Sequence, residues 1–196
     1  MEITIPLNIV IFFGIPMIYD LIFGRRSPAV WGIRSSNIGK SILYGIALAI
    51  GMFPVTYSIF KLLFNFTTEQ FVQAGTLAHY FYSEFRYPIN LLYYSLWTLF
   101  VVALGEELFF RGFIHNKLEQ KFSFVYAALT SSIIFTASHI FSVLLFPLEM
   151  TFFYLILCFV TSFLLAYVLH STRNLSGCWI SHSVSNILAA IFIGML

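Results

Sequence analysis

Charge is scarce in this chain. Only 9% of its residues are Asp, Glu, Lys or Arg, while 60% are hydrophobic; a soluble globular domain carries about 25% charged residues. A water-soluble fold of 196 residues would lack the polar surface to cover so much apolar area, so lipid is the expected solvent. The net charge of +2 provides no basic surface for a nucleic acid, and no such partner is expected. Cysteine is almost missing. Cys158 and Cys178 lie in apolar stretches, which argues against a structural disulfide or a thiolate metal site and leaves both as packing residues. Early Lys and Arg are absent, so the first apolar stretch, closing at Gly24-Arg25-Arg26, reads as a span rather than a cleavable leader. There is no internal repeat, low-complexity segment or linker, and a single membrane domain over 1–196 is the simplest organisation.

What is abundant is apolar length and aromatic side chains, with 24 Phe and 11 Tyr, which suit lipid-facing surfaces and membrane interfaces. A transmembrane helix needs about 20 mainly apolar residues. Six segments qualify: 3–23, 41–64, 89–113, 124–146, 148–170 and 178–196. Closed barrels show apolar–polar alternation over segments of about 10 residues; these segments do not alternate. The expected fold is therefore all-α, a polytopic bundle of about six transmembrane helices. Arg25, Arg26, Arg34, Lys40, Lys117, Lys121 and Arg173 fall in the odd-numbered loops, and Arg86 alone marks the second. By the positive-inside rule the odd loops are cytoplasmic and both termini are outside.

Polar residues inside such helices are costly, and each is a functional candidate by default. The third segment carries Glu106-Glu107-Leu108-Phe109-Phe110-Arg111. Glu107 and Arg111, four apart, share a helix face and can pair. Glu106 is left about 100° round from Glu107, unpaired and partly desolvated, as suits a general base. The fourth segment carries Phe135 and His139 one turn apart, and the sixth carries His182 and Asn186 at the same spacing. Alone, each cluster also fits a structural role: an interfacial charge group, a hydrogen-bonded histidine, polar contacts between helices. Together they bring two carboxylates, an Arg, two His and an Asn onto three spans. One depth disagrees: a span starting at Phe124 puts His139 about two turns deeper than the carboxylates.

Glu106-Glu107-x-x-x-Arg111, Phe135-x-x-x-His139 and His182-x-x-x-Asn186, in that order on separate apolar helices, resemble the three motifs of the CAAX-protease and bacteriocin-processing (Abi) family. This family includes prenyl-protein endopeptidases and many bacterial homologues. The resemblance covers 89–196, the expected protease core; 1–64 reads as accessory spans. It implies an intramembrane endopeptidase in a bacterial cell membrane. Glu106 would activate water with help from His139, His182 and Asn186 would form the oxyanion hole, and Glu107, Arg111 and Phe135 would support them. The implied partner is a membrane-associated or lipidated peptide or protein.

No cofactor is expected. The zincin pattern His-Glu-x-x-His is absent, although Glu106, His139 and His182 could hold zinc with one open position. A serine mechanism has Ser138, Ser181, Ser183 and Ser185 beside the histidines but no Gly-x-Ser-Gly. Tyr19-Asp20 lacks the Gly-x-Gly-Asp partner of an aspartyl protease. The competing functions are a non-catalytic membrane scaffold or bacteriocin-immunity factor, and a small transporter. The lack of an inverted repeat weighs against the transporter.

Overall fold

The computed structural model describes residues 10–23, 31–59, 61, 88–140 and 148–195. Among these residues the chain forms six helices and no strand: α1 Val10–Phe23, α2 Ile38–Ser58, α3 88–119, α4 Phe124–Ser138, α5 Leu148–Thr172 and α6 Ser176–Met195. Each lies on one of the six apolar segments. Three stretches are long and apolar enough to cross a membrane: Ile38–Ser58, Leu91–Glu119 and Leu148–Thr172. Val10–Phe23 and Phe124–Ser138 are apolar but shorter. Arg25, Arg26, Arg86 and the expected ends of the second and fourth segments lie outside the described residues.

α3 differs most from expectation. It continues past Phe113 to Glu119 instead of stopping. His115 and Asn116 make this possible inside the bundle. The His115 Nδ1 lies 3.4 Å from Ser131 Oγ on α4, and Asn116 Nδ2 donates to Gly112 O at 3.1 Å. Two stretches of α3, Thr98–Ala103 and Leu108–His115, widen to π-helical turns. Such turns recur at functional sites and loosen the regular backbone ladder. Leu99 O, in the first, accepts a hydrogen bond from Trp179 Nε1 on α6 at 2.6 Å.

The start of α6 is fixed by a buried polar turn. Asn174, fully buried, donates through Nδ2 to Arg34 O at 2.6 Å and Ser36 O at 2.8 Å, and its Oδ1 accepts from Ser176 N at 2.9 Å. The last of these caps α6. Ser41 Oγ, on α2, donates to Asn174 O at 2.8 Å and accepts from Gly177 N at 2.9 Å. α2 and α6 then run against each other through small residues, Ser41-x-x-x-Gly45 on one and Gly177-x-x-x-Ser181 on the other. Backbone approaches side chain-free backbone here: a Cβ on Gly45 would stand 2.1 Å from Gly177 O, and one on Gly177 would stand 2.2 Å from Ser41 O. In lipid, where apolar burial offers little drive, this close packing and interhelical hydrogen bonding hold helices together.

Leu108, Leu165, Val168, Leu169, Leu175 and Cys178 form a core joining α3, α5 and α6. Outward, side chains such as Leu21, Leu43, Phe152 and Leu148 are exposed, as a lipid-facing surface requires.

Candidate active site

α3 and α4 run antiparallel, and three contacts mark their shared seam. Ser131 meets His115, Phe135 meets Arg111, and His139 meets Glu106. The polar residues that the sequence places on three spans are thereby drawn to one region about midway along α3. The two-turn disagreement in depth disappears, because α3 extends to Glu119 and places the carboxylates thirteen residues before its end. Glu106 and Glu107 therefore sit deeper than a helix ending at Phe113 would put them.

Glu107 is fully buried and carries two partners. Arg111 Nη1 stands 3.2 Å from its Oε1, and His182 Nδ1 stands 2.8 Å from the same oxygen. An ionised carboxylate only accepts hydrogen bonds, so His182 donates its Nδ1–H. That bond fixes the ring and turns Nε2 to Glu106, whose Oε2 lies 3.8 Å away.

His139 caps the end of α4 and is held in the same manner. Its Nδ1 is 2.9 Å from Phe135 O. A carbonyl cannot donate, so the hydrogen sits on Nδ1, and in the neutral ring Nε2 is an acceptor. This Nε2 faces Glu106 Oε2 at 4.0 Å. Glu106 Oε2 is thus buried, has no hydrogen-bond partner among the described residues, and looks toward two imidazole nitrogens. Both gaps are too long for direct hydrogen bonds. One water with bonds of about 2.8 Å spans either.

Phe135 joins the parts. Its ring centroid is 4.3 Å from Arg111 Cζ, 4.5 Å from the His139 ring and 5.0 Å from the Phe110 ring, the last edge-on. The guanidinium gains a cation–π partner where no water can solvate it. The sequence suggested only the packing on His139.

Asn186 is the member the structure does not join to the rest. It lies one turn beyond His182 on α6, half-buried, with no hydrogen bond to the cluster among the described residues. Two of the serines are spent locally: Ser138 Oγ donates to Phe135 O at 2.7 Å and Ser183 Oγ to Trp179 O at 2.8 Å, which disfavours them as nucleophiles. Asp20 sits on α1, buried. Cys158 and Cys178 are free thiols.

The donor spacing also bears on zinc. Two ligands at about 2.0–2.1 Å in a tetrahedral site stand roughly 3.3 Å apart. Glu106 Oε2 is 3.8 and 4.0 Å from the two Nε2 atoms. Among the described residues no group of three or more His, Cys, Asp and Glu side chains is disposed to hold a metal ion. As arranged, these three residues do not fit one.

Two features lie outside the motifs. α5 brings Tyr154 to the cluster, with its ring centroid 6.5 Å from that of His139. Beyond Arg111 the face of α3 continues through His115 to Glu119. The Glu119 carboxylate binds His170 Nδ1 and, at 3.0 Å, Arg173 Nη1. It ties the end of α3 to the α5–α6 turn.

Residues 88–188, about half of the chain, match the family model described as type II CAAX prenyl endopeptidase, Rce1-like. This stretch contains Glu106, Glu107, Arg111, Phe135, His139, His182 and Asn186. No curated protein and no solved structure matches the chain.

Proposed function

The chain belongs to the Rce1-like type II CAAX prenyl endopeptidase family, and from that premise we propose that it hydrolyses peptide bonds inside the membrane with a water activated by Glu106. The observation that carries this reading is the facing of Glu106 Oε2 by His139 Nε2 and His182 Nε2. A water between Glu106 and His139 gives its two hydrogens to Oε2 and Nε2, both acceptors. Its lone pair is left for a substrate carbonyl. As the oxygen attacks, one proton passes to Glu106 and the carbonyl oxygen becomes an oxyanion. His182, in its imidazolium form, keeps Nδ1–H on Glu107 and offers Nε2–H to that oxyanion. Collapse breaks the C–N bond and Glu106 returns the proton to the departing amine; the second water hydrogen leaves the new carboxyl group for that amine through His139 Nε2, so that a carboxylate and an ammonium are released. Asn186 is a second oxyanion donor once substrate draws it in.

The proposed substrate is a membrane-associated or lipidated peptide or protein tail. The CAAX signal is a prenylated cysteine followed by three residues at a C-terminus, and the prenyl chain would hold it in the lipid beside the bundle. The cation-bearing turns also support an orientation. Arg34 and Arg173 flank or join the same turn, and Arg173 binds Glu119 near Lys117 and Lys121. With these cations in the cytoplasm, both termini are outside and the carboxylates lie thirteen residues in from the cytoplasmic end of α3. The proposed step calls on no metal.

The test is mass spectrometry of membrane peptides from cells carrying the wild-type protein or Glu106→Ala. A product made only by the wild type identifies both activity and substrate. Identical peptides, with the Glu106→Ala protein still inserted and its phenotype retained, would mean a scaffold.

A further inference from the structure

The donor set just described is short. Peptide hydrolysis needs hydrogen-bond donors aimed at the developing oxyanion. Among the described residues, His182 offers one N–H, and Asn186 has no bond to the cluster. His139 has its one hydrogen on Phe135 O. α3, α4 and α6 supply the motif residues; α5 supplies none, yet it packs along α4 beside the site.

Its contribution is Tyr154. The ring lies beside His139, tilted at 46° with 6.5 Å between centroids. The side chain also lies within electrostatic reach of Glu106. Cys158, one turn on, faces the same way: it is within electrostatic reach of Glu106 and Arg111 and shares a side-chain hydrogen bond with Tyr154. In that bond the phenol donates to sulfur, which is a weak acceptor. A phenol so placed exchanges the thiol for an oxyanion at little cost, and an aromatic ring held by packing costs little entropy to aim.

We infer that Tyr154 is a further catalytic residue of this site, its hydroxyl donating to the carbonyl oxygen of the scissile bond opposite His182. The assignment rests on the endopeptidase reading. It also makes α5, through Tyr154, part of the catalytic wall.

The experiment compares wild type, Glu106→Gln, Tyr154→Phe and Cys158→Ala, purified in detergent. The probe is an internally quenched peptide ending in a farnesylated cysteine and three further residues. Tyr154→Phe removes one oxygen and keeps the ring. Its kcat is expected to fall about 10- to 100-fold, toward the range for loss of one oxyanion donor, with KM changed less than about twofold. Cys158→Ala removes the thiol acceptor and is expected to leave kcat near the wild-type value. Equal losses in Tyr154→Phe and Cys158→Ala would mean that the hydroxyl acts only through the thiol, and the assignment would fall. Wild-type cleavage abolished by Glu106→Gln but untouched by Tyr154→Phe would overturn the Tyr154 role alone. No wild-type cleavage, or cleavage indifferent to Glu106→Gln, would overturn the endopeptidase reading and this assignment with it. A thermal unfolding midpoint for each variant separates lost chemistry from lost fold.

Discussion

The Glu107 carboxylate binds His182 Nδ1 at 2.8 Å through the same oxygen that faces Arg111 at 3.2 Å. One buried oxygen therefore sets the charge balance of α3 and the ring orientation of a residue on α6. The adjacent acidic residues of the motif have divided labour. Glu107 is structural and electrostatic, while Glu106 is left facing the two free imidazole nitrogens.

Glu107→Gln tests that division. The substitution keeps the size of the side chain but removes the charge that balances Arg111 and favours an imidazolium at His182. Breaking a buried ion pair by removing one partner typically costs about 3–5 kcal/mol, so a fall in the unfolding midpoint is expected together with loss of cleavage. Glu106→Gln should lose cleavage as completely while changing the midpoint far less, because Glu106 makes no direct hydrogen bond with its Oε2. Thermal unfolding beside a cleavage assay separates the two. Equal midpoints for both variants would count against the structural role of Glu107.

Phe135 should be irreplaceable by an aliphatic side chain of similar volume. Its ring contacts Arg111, His139 and Phe110 at once. Phe135→Leu retains most of the volume but loses the cation–π contact, worth about 2 kcal/mol or more when desolvated, and the packing that steadies His139. The expected result is a folded protein with a clearly reduced kcat. Phe135→Ala adds a cavity and should cost about 3–5 kcal/mol of stability. Undiminished kcat in Phe135→Leu would refute the role.

Chelation is the next discriminator. Glu106, His139 and His182 are spaced too widely for a zinc ion as arranged. Cleavage is expected to persist after prolonged dialysis against excess chelator, with less than about a twofold change in rate. Loss that zinc alone restores would mean that the side chains close around a metal.

The sequence made some of this legible and hid the rest for physical reasons. The six helical segments could be read because lipid demands long apolar stretches. The motif residues could be read because polar groups in such stretches need a reason. The length of α3 could not. His115, Asn116 and Lys117 look like the beginning of a loop, yet in the structure they continue the helix, with His115 meeting Ser131 on α4 and Asn116 bonded to Gly112 O. A helix ending at Phe113 sets the carboxylates near the surface, and this is the source of the disagreement with His139. Tyr154 and Cys158 were invisible for another reason: α5 is apolar all round, so no periodicity marks an inner face, and Cys158 read as ordinary packing. Nothing in the sequence marks the role of Asn174, because its partners, Arg34, Ser36 and Ser41, are far away in the chain.

The α2–α6 contact yields a prediction with internal controls. α6 carries His182, so its distance from the other helices matters to the site as well as to stability. A methyl group on Gly45 would meet the backbone of Gly177 at 2.1 Å, and one on Gly177 would meet Ser41 O at 2.2 Å. Backbone cannot rotate aside as a side chain can, so Gly45→Ala and Gly177→Ala must push the two helices apart. Overpacking of this sort costs about 1–3 kcal/mol or more, and the displacement should weaken the bond from His182 to Glu107. Both variants are expected to unfold at lower temperature and to lose cleavage. Gly39 and Gly51 lie on the same helix α2, and a Cβ on either meets nothing within 4 Å. Gly51→Ala, in the helix interior, should be neutral or stabilise by roughly 0.5–1 kcal/mol through reduced backbone freedom in the unfolded chain. Midpoints measured in one detergent would decide the matter. Should Gly45→Ala behave like Gly51→Ala, the two helices do not meet at Gly45 and Gly177 as described.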